Sequence, residues 1–257
     1  MITKQEIHAL LKRANIKEND TVLIHTSMRK IGQVENGCDG VIDGFISYLK
    51  DGLFLVPTHT WDIFEKENPV FDVRNSLTCI GALPNTATKR ADGVRSMHPT
   101  HSITAFGKRA KEYLQGEENA QTPCPVGGAW ARLFEENATV LLLGVGLERN
   151  TYIHAVDEML DIENRLAENA KTITVIHEDG RETKVKFRGH KSAISEFFPN
   201  FKEALETLGA LSYDQLGNAT VGIFKVRKGT EIIKTIYQNS TFDPCDGVKE
   251  LPKSWWE

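Results

Sequence analysis

Long apolar runs are missing from this 257-residue chain; none approaches the ~20 residues that a membrane-spanning helix needs. The start has no basic region followed by an apolar stretch, which sets aside an export signal; Thr3 and Glu6 are instead spaced as the capping box of a helix. Cysteine is scarce. The four present, Cys38, Cys79, Cys124 and Cys245, have none of the paired spacings of a zinc site or disulfide framework, which points to a reducing, cytoplasmic location and to no metal. Neither sign of charge dominates: a formal net charge of −4 leaves no basic footprint for nucleic acid and mildly favours a cationic small molecule. Internal repeats and low-complexity segments are absent. Gly144-Val145-Gly146 lacks the third glycine of a dinucleotide-binding turn, which sets aside a Rossmann oxidoreductase.

What is present is the composition of a soluble globular protein, 40% hydrophobic and 26% charged, long enough for one α/β domain over residues 1–257. Helix-like and strand-like patterns alternate through the first half. A helix from Thr3 precedes a strand at Thr21 to His25, a helix at Asp39 to Leu49 and a strand at Leu53 to Pro57. A helix after Gly81, a strand near Ser102 to Phe106, helices around Lys108 to Leu114 and Trp130 to Glu136, and a central, buried strand from Thr139 to Val145 continue the pattern. After His154 it changes. Hairpins are expected at Thr172–Ile176 with Thr183–Phe187 around Asp179-Gly180, and at Val221–Val226 with Glu231–Ile236 around Lys228-Gly229. An amphipathic helix over Ser192 to Leu208 lies between them, so residues 165–240 add hairpins and a helical lid.

Four polar constellations stand out. On a helix His154 shares a face with Thr151, Asp157 and Glu158, so one carboxylate can orient the imidazole as a general base, although the same pattern also occurs on solvated helix faces. Arg95-Ser96-Met97-His98-Pro99-Thr100-His101-Ser102 offers anion-binding side chains, or else a polar loop leading into a strand. Thr26-Ser27-Met28-Arg29-Lys30-Ile31-Gly32 follows the first strand, where open α/β sheets bind ligands. His59, Trp61, Asp62, Glu65 and Glu67 make an acidic, aromatic loop suited to a polyamine or simply solvated. Cys124, between Pro123 and Pro125, is either a nucleophile or a small buried thiol.

In their order these segments resemble the aminoglycoside 3-N-acetyltransferase family of antibiotic N-acetyltransferases, which is distinct from the GNAT acetyltransferases. The resemblance is carried by Ile24-His25-Thr26-Ser27 through Gly32, Pro57-Thr58-His59-Thr60, Gly81-Ala82-Leu83-Pro84, the Arg95 to Ser102 motif, Arg132-Leu133, Leu142-Leu143-Gly144-Val145, and Asn150-Thr151 through His154 to Glu158. It covers most of the chain. It implies a three-layer αβα sandwich with a mixed central sheet and C-terminal antiparallel hairpins, and acetyl transfer from acetyl-CoA to an amine of an aminoglycoside or related amino sugar, the chemistry of antibiotic resistance.

The resemblance also assigns residues. Acetyl-CoA falls to Ser27, Arg29, Lys30, Ile31 and Gly32 together with Arg95, Ser96, His98 and Ser102. The acceptor falls to His59, Asp62, Asp72 and Asn85. His154 is the implied base with Asp157 behind it, Glu158 competes for that role, and Thr151 or a backbone N–H is the candidate for the developing oxyanion. Three positions depart from the family pattern: Asp157 where glutamate is common, Asn85 where several members carry an acid, and Glu117 near a frequent histidine. Two other readings stay open, an acyl-enzyme or thioesterase route through Cys124 and a CoA or cationic-metabolite binder without catalysis. The expected partners are acetyl-CoA and a cationic amine, with no nucleic acid and no membrane. Trp255-Trp256 is either a tail docked on the body or the contact of a homo-oligomer.

Overall fold

A computed structural model describes residues 1–191 and 193–257. The strands in chain order are β1 (Thr21–Thr26), β2 (Leu53–Pro57), β3 (Val70–Asp72), β4 (Gly93–Arg95), β5 (Ile103–Phe106), β6 (Thr139–Leu143), β7 (Lys171–Ile176), β8 (Glu182–Phe187), β9 (Leu211–Leu216) and β10 (Ala219–Lys225). The helices are α1 (Lys4–Arg13), α2 (Met28–Ile31), α3 (Gly37–Tyr48), α4 (Ala82–Ala87), α5 (Ala110–Tyr113), α6 (Ala129–Glu135), α7 (Tyr152–Met159), α8 (Lys202–Thr207) and α9 (Val226–Asn239). The Thr3–Glu6 capping box closes the start of α1 as the sequence predicts.

Seven strands form one mixed sheet in the order β4-β5-β2-β1-β6-β10-β9. β1 runs parallel to β2 and β6, while β5, β4, β10 and β9 add antiparallel edges. The inner strands are apolar at nearly every position because both of their faces are covered. Val22, Ile24, Leu141 and Leu143 pack with Ile7, Phe45 and Leu83 of α1, α3 and α4. Their neighbours Leu23, Val140 and Leu142 face the other way, toward Trp130, Tyr152 and Ile233 of α6, α7 and α9. That is the expected three-layer αβα sandwich. A second sheet, β3-β7-β8, has its own small core of Phe71, Ile173, Val175 and Phe187. No helix is long and apolar enough to cross a membrane among the described residues.

Two C-terminal expectations need correction. The Thr172–Ile176 hairpin forms, but Glu231–Ile236 is helical: β10 pairs with β9 across Gly217-Asn218 and continues into α9. Gly229 marks no turn. It is glycine because α9 crosses the buried ring of Phe224, which an added Cβ would strike. The helix expected over Ser192 to Leu208 is a 3-10 segment, Ile194–Phe201, followed by α8, and it contains Pro199, which lacks the N–H of a regular helix. Its expected first residue, Ser192, lies outside the described residues. Trp255 and Trp256 are buried on the body of the chain, where Trp255 packs on Phe242 and its carbonyl accepts a hydrogen bond from Asn239.

Gly217 sits at φ +58°, and an added Cβ would meet Ile31 O at 2.7 Å as well as Ile2. Gly217→Ala is expected to lower stability in urea unfolding by roughly 1–3 kcal/mol. Gly180→Ala, at a positive φ but facing open space, loses less.

Candidate active site

The parallel neighbours β2 and β6 flank β1 on opposite sides, so the carboxyl ends of these three strands frame a crevice. A cavity of about 520 Å³ occupies it, lined by His25 and Thr26 of β1, Pro57 and His59 at and beyond the end of β2, and Glu148, Arg149, Thr151 and His154 beyond β6. Gly144, at φ +70°, lets the loop after β6 pass α2; a Cβ there would lie 2.8 Å from Lys30 Cβ. A second cavity, about 350 Å³, opens between Trp61, Phe64 and Phe187 on one side and described residues of the 189–195 segment on the other. His154, His101, Trp61 and Ser195 line both.

His154 stands third in α7, and its ring stacks on His190 at 3.7 Å between centroids and 24° between planes, with Phe198 edge-on at 4.7 Å. His190 is delivered by a bridge to Leu166 and by the Lys191 N–H, which donates to Arg165 O. His101 lies 5.2 Å from His190 and 4.5 Å from His59, while Trp130 donates its indole N–H to His101 O and stacks on His25. Six of the eight histidines therefore gather here, counting His98 at 6.0 Å from His101.

Burial holds all six below the ordinary imidazole pKa. His25 and His190 fall to about 3 and His98 to about 4, while His59, His101 and His154 lie well below 6.5, pushed further by their neighbouring histidines. At neutral pH the cluster is uncharged. The His98 tautomer follows from its partners: Nδ1 accepts from the Thr100 and His101 N–H groups, so Nε2 carries the proton and donates to Thr122 O.

The carboxylates behave differently from the expectation, since neither Asp157 nor Glu158 hydrogen-bonds His154. Asp157 is buried, accepts from Tyr237 Oη at 2.7 Å and lies 3.2 Å from Arg165 Nε; Arg165 in turn grips both oxygens of Asp243. Burial raises Asp157 to about 7, against the pull of Arg165 and Tyr237. Glu158 accepts from Thr122 Oγ1 and Cys124 N and sits 3.4 Å from His190 Nε2. One helix carries all three side chains, but the partners of both acids belong to other elements.

Other expected residues are also spent inside the fold. Arg95 is buried and donates to Ser76 O at 2.6 Å, Thr58 O at 3.1 Å and Ser102 Oγ at 3.2 Å, with its guanidinium over Phe71. Ser96 accepts from Ile103 N, and Ser102 donates to Thr58 O. With His98 these residues line neither cavity and make their hydrogen bonds within the fold, whereas Thr100 and His101 of the same segment do line cavities. Ser27, Arg29, Lys30, Ile31 and Gly32 form the short α2 turn just beyond Thr26; Arg29 and Lys30 are exposed, Ile31 is core, and none lines either cavity.

Of the expected acceptor residues only His59 lines a cavity. Asp62 is exposed on the Trp61–Glu65 turn, Asp72 caps Arg74 and Asn75, and Asn85 clips Thr78 to Gly81. Glu117 caps the start of α6 through Ala129 N, and burial raises it to about 7. Cys124 is fully buried with its thiol raised by burial, and it lines neither cavity. His25, His101, His190, Arg149 and Ser195 line the cavities without having been assigned a role from the sequence. His101 lies inside a motif the sequence singles out, whereas no local pattern marks His190.

Residues 23–238 match the profile of the aminoglycoside 3-N-acetyltransferase family. The chain belongs to this family. It is an acyltransferase of that group, similar to aminoglycoside N(3)-acetyltransferase IX of Micromonospora chalcea at 26% identity over 84% of this chain and 82% of the relative. Its fold is shared with aminoglycoside acetyltransferase AAC(3)-IVa solved with a gentamicin, at TM-score 0.80 and 21% identity over 97% and 95% of the two chains. AAC-IIIb solved with CoASH gives TM-score 0.77 and 18% identity over 94% and 99%.

Two measurements test this acyltransferase site. Arg95→Ala should cost roughly 2–4 kcal/mol of stability, because buried carbonyls lose their donor, while CoA binding to the folded fraction stays close to wild type. Acid should also destabilise the protein. Between pH ~6.5 and ~4.5 an unfolded chain protonates the clustered histidines and the native state does not, so each removes up to ~1.4 kcal/mol per pH unit. The raised carboxyls Glu117, Asp157 and Glu158 oppose this, but they are three against six. The urea midpoint should therefore fall from pH 7 to pH 5; a constant midpoint would contradict neutral burial.

Proposed function

We propose that the protein transfers the acetyl group of acetyl-CoA directly to a primary amine of an aminoglycoside or related amino sugar, with His154 as general base. Acetyl-CoA is the cosubstrate. The observation that carries the reading is the place of His154 in the wall shared by two cavities, so that one imidazole reaches both reactants.

The residues around the larger cavity suit an anionic donor. Arg149 lines it, and Lys30 packs beside Gly144 at the start of the loop that carries Arg149. Arg149 thus joins Lys30, already an expected acetyl-CoA residue, in the place of Arg95. The smaller cavity receives the amine.

A neutral imidazole accepts a proton, so the low pKa of His154 keeps the base in its working form. The amine gives its proton to His154, its nitrogen bonds to the thioester carbonyl carbon, and the carbon–sulfur bond breaks; the imidazolium then protonates the departing thiolate. Thr151, which lines the larger cavity one turn before His154, receives the developing oxyanion. Cys124 takes no part, because its thiol is buried and held protonated.

His154→Ala should reduce kcat by roughly two to four orders of magnitude, with the Kd for acetyl-CoA little changed, as measured by CoA release and calorimetry. Unchanged turnover in this variant would remove His154 from the reaction.

A further inference from the structure

We infer that the acceptor carries a single positive charge on a ring with an apolar face, and is not a polycation. This rests on the acetyl-transfer reading and narrows its substrate. The acceptor-side cavity holds about 350 Å³ and is walled by Trp61, Phe64 and Phe187. Among the described residues that line it, one carboxylate, Glu65, is offset by one ammonium, Lys191. The larger cavity repeats the balance with Glu148 and Arg149. A further cation, Lys171, lies over the Phe64 ring at 5.0 Å.

A polyamine entering these walls would leave several ammonium groups desolvated without carboxylates, in a cavity that Lys191 already lines. The acids that could have met them are engaged or remote: Asp72 is tied to Arg74 and Asn75, Asn85 is neutral, and Asp62 is exposed without lining either cavity. One ammonium is a different matter. It has Glu65 as a counter-charge, releases its extra proton to solvent, and as the neutral amine passes its next proton to His154 during attack. Trp61, 49% exposed and shared by both cavities, offers a flat apolar surface for the C–H face of a sugar or for an aromatic ring.

The test compares glucosamine and benzylamine with gentamicin as acceptors for the full chain, at low and high salt, by CoA release. In parallel, quenching of tryptophan fluorescence by each amine is measured in the wild type and in Trp61→Phe, and the difference is the Trp61 signal. The expected result is a kcat/KM for a singly charged ring amine that exceeds that for gentamicin by about tenfold or more, with little salt dependence. Trp61→Ala should raise KM by about tenfold, and Lys191→Glu should move preference toward gentamicin. Gentamicin as the better acceptor, with a steep salt dependence, would overturn the inference and leave acetyl transfer standing. Absence of CoA release with every amine would overturn the acetyl-transfer reading instead. The quenching then decides the acceptor charge: tighter binding of gentamicin counts against the inference and tighter binding of a ring amine supports it.

Discussion

Exclusion of water from a group of imidazoles is the constraint on which this structure turns. Six histidines gather around the Trp130 indole and the His154–His190 stack, and burial of their rings holds each below the ordinary imidazole pKa. A charged cluster would repel itself and draw water between the sheets. The same desolvation underlies both the proton-accepting role proposed for His154 and the acid sensitivity expected of the native state, so the proposed chemistry and the stability of the fold share one physical origin.

The layers reach that closure by a division of labour. The parallel centre, β2-β1-β6, sets the crevice at the carboxyl ends of its strands. The small sheet supplies the aromatic wall through Phe187, and Arg95 ties it to the large sheet by donating to the carbonyls of Ser76 and Thr58. Placing a guanidinium in that seam costs desolvation, which lowers its pKa to about 10. Its hydrogen bonds to fixed carbonyls, rather than to a carboxylate, make the seam specific in geometry without adding a second buried charge.

Much of this was legible in the sequence wherever the signal is local. The apolar runs of β1, β2 and β6, the capping box at Thr3 and Glu6, and the Asp179-Gly180 hairpin all express backbone preferences that neighbouring residues determine. The helical setting of His154 was legible through its motif. The Arg95 to Ser102 segment was not, because hydroxyls, imidazoles and a guanidinium look alike whether they await a ligand or satisfy carbonyls elsewhere in the chain. The carbonyls of Ser76 and Thr58, 19 and 37 positions from Arg95, and of Thr122, 24 positions from His98, decide the matter. Only folding brings them close. Lys228-Gly229 misled for a related reason: glycine marks either a turn or a close approach, and the ring of Phe224 selects the second. His190 gains its importance only from stacking on His154.

The ion-pair chain from Asp157 through Arg165 to Asp243 has a consequence for how the molecule is made. It anchors α7 to a segment beyond α9, and Tyr237 of α9, 80 residues after Asp157, is bonded to the same carboxylate. On the ribosome the parallel strands β1, β2 and β6 are therefore available to one another while the partners of Asp157 have yet to be synthesised. Until they emerge, a carboxylate destined for burial has no phenol to bond it, and the helix bearing His154 waits for the hydroxyl that will fix it. The strands that frame the crevice are thus synthesised well before the phenol that bonds the helix beside it.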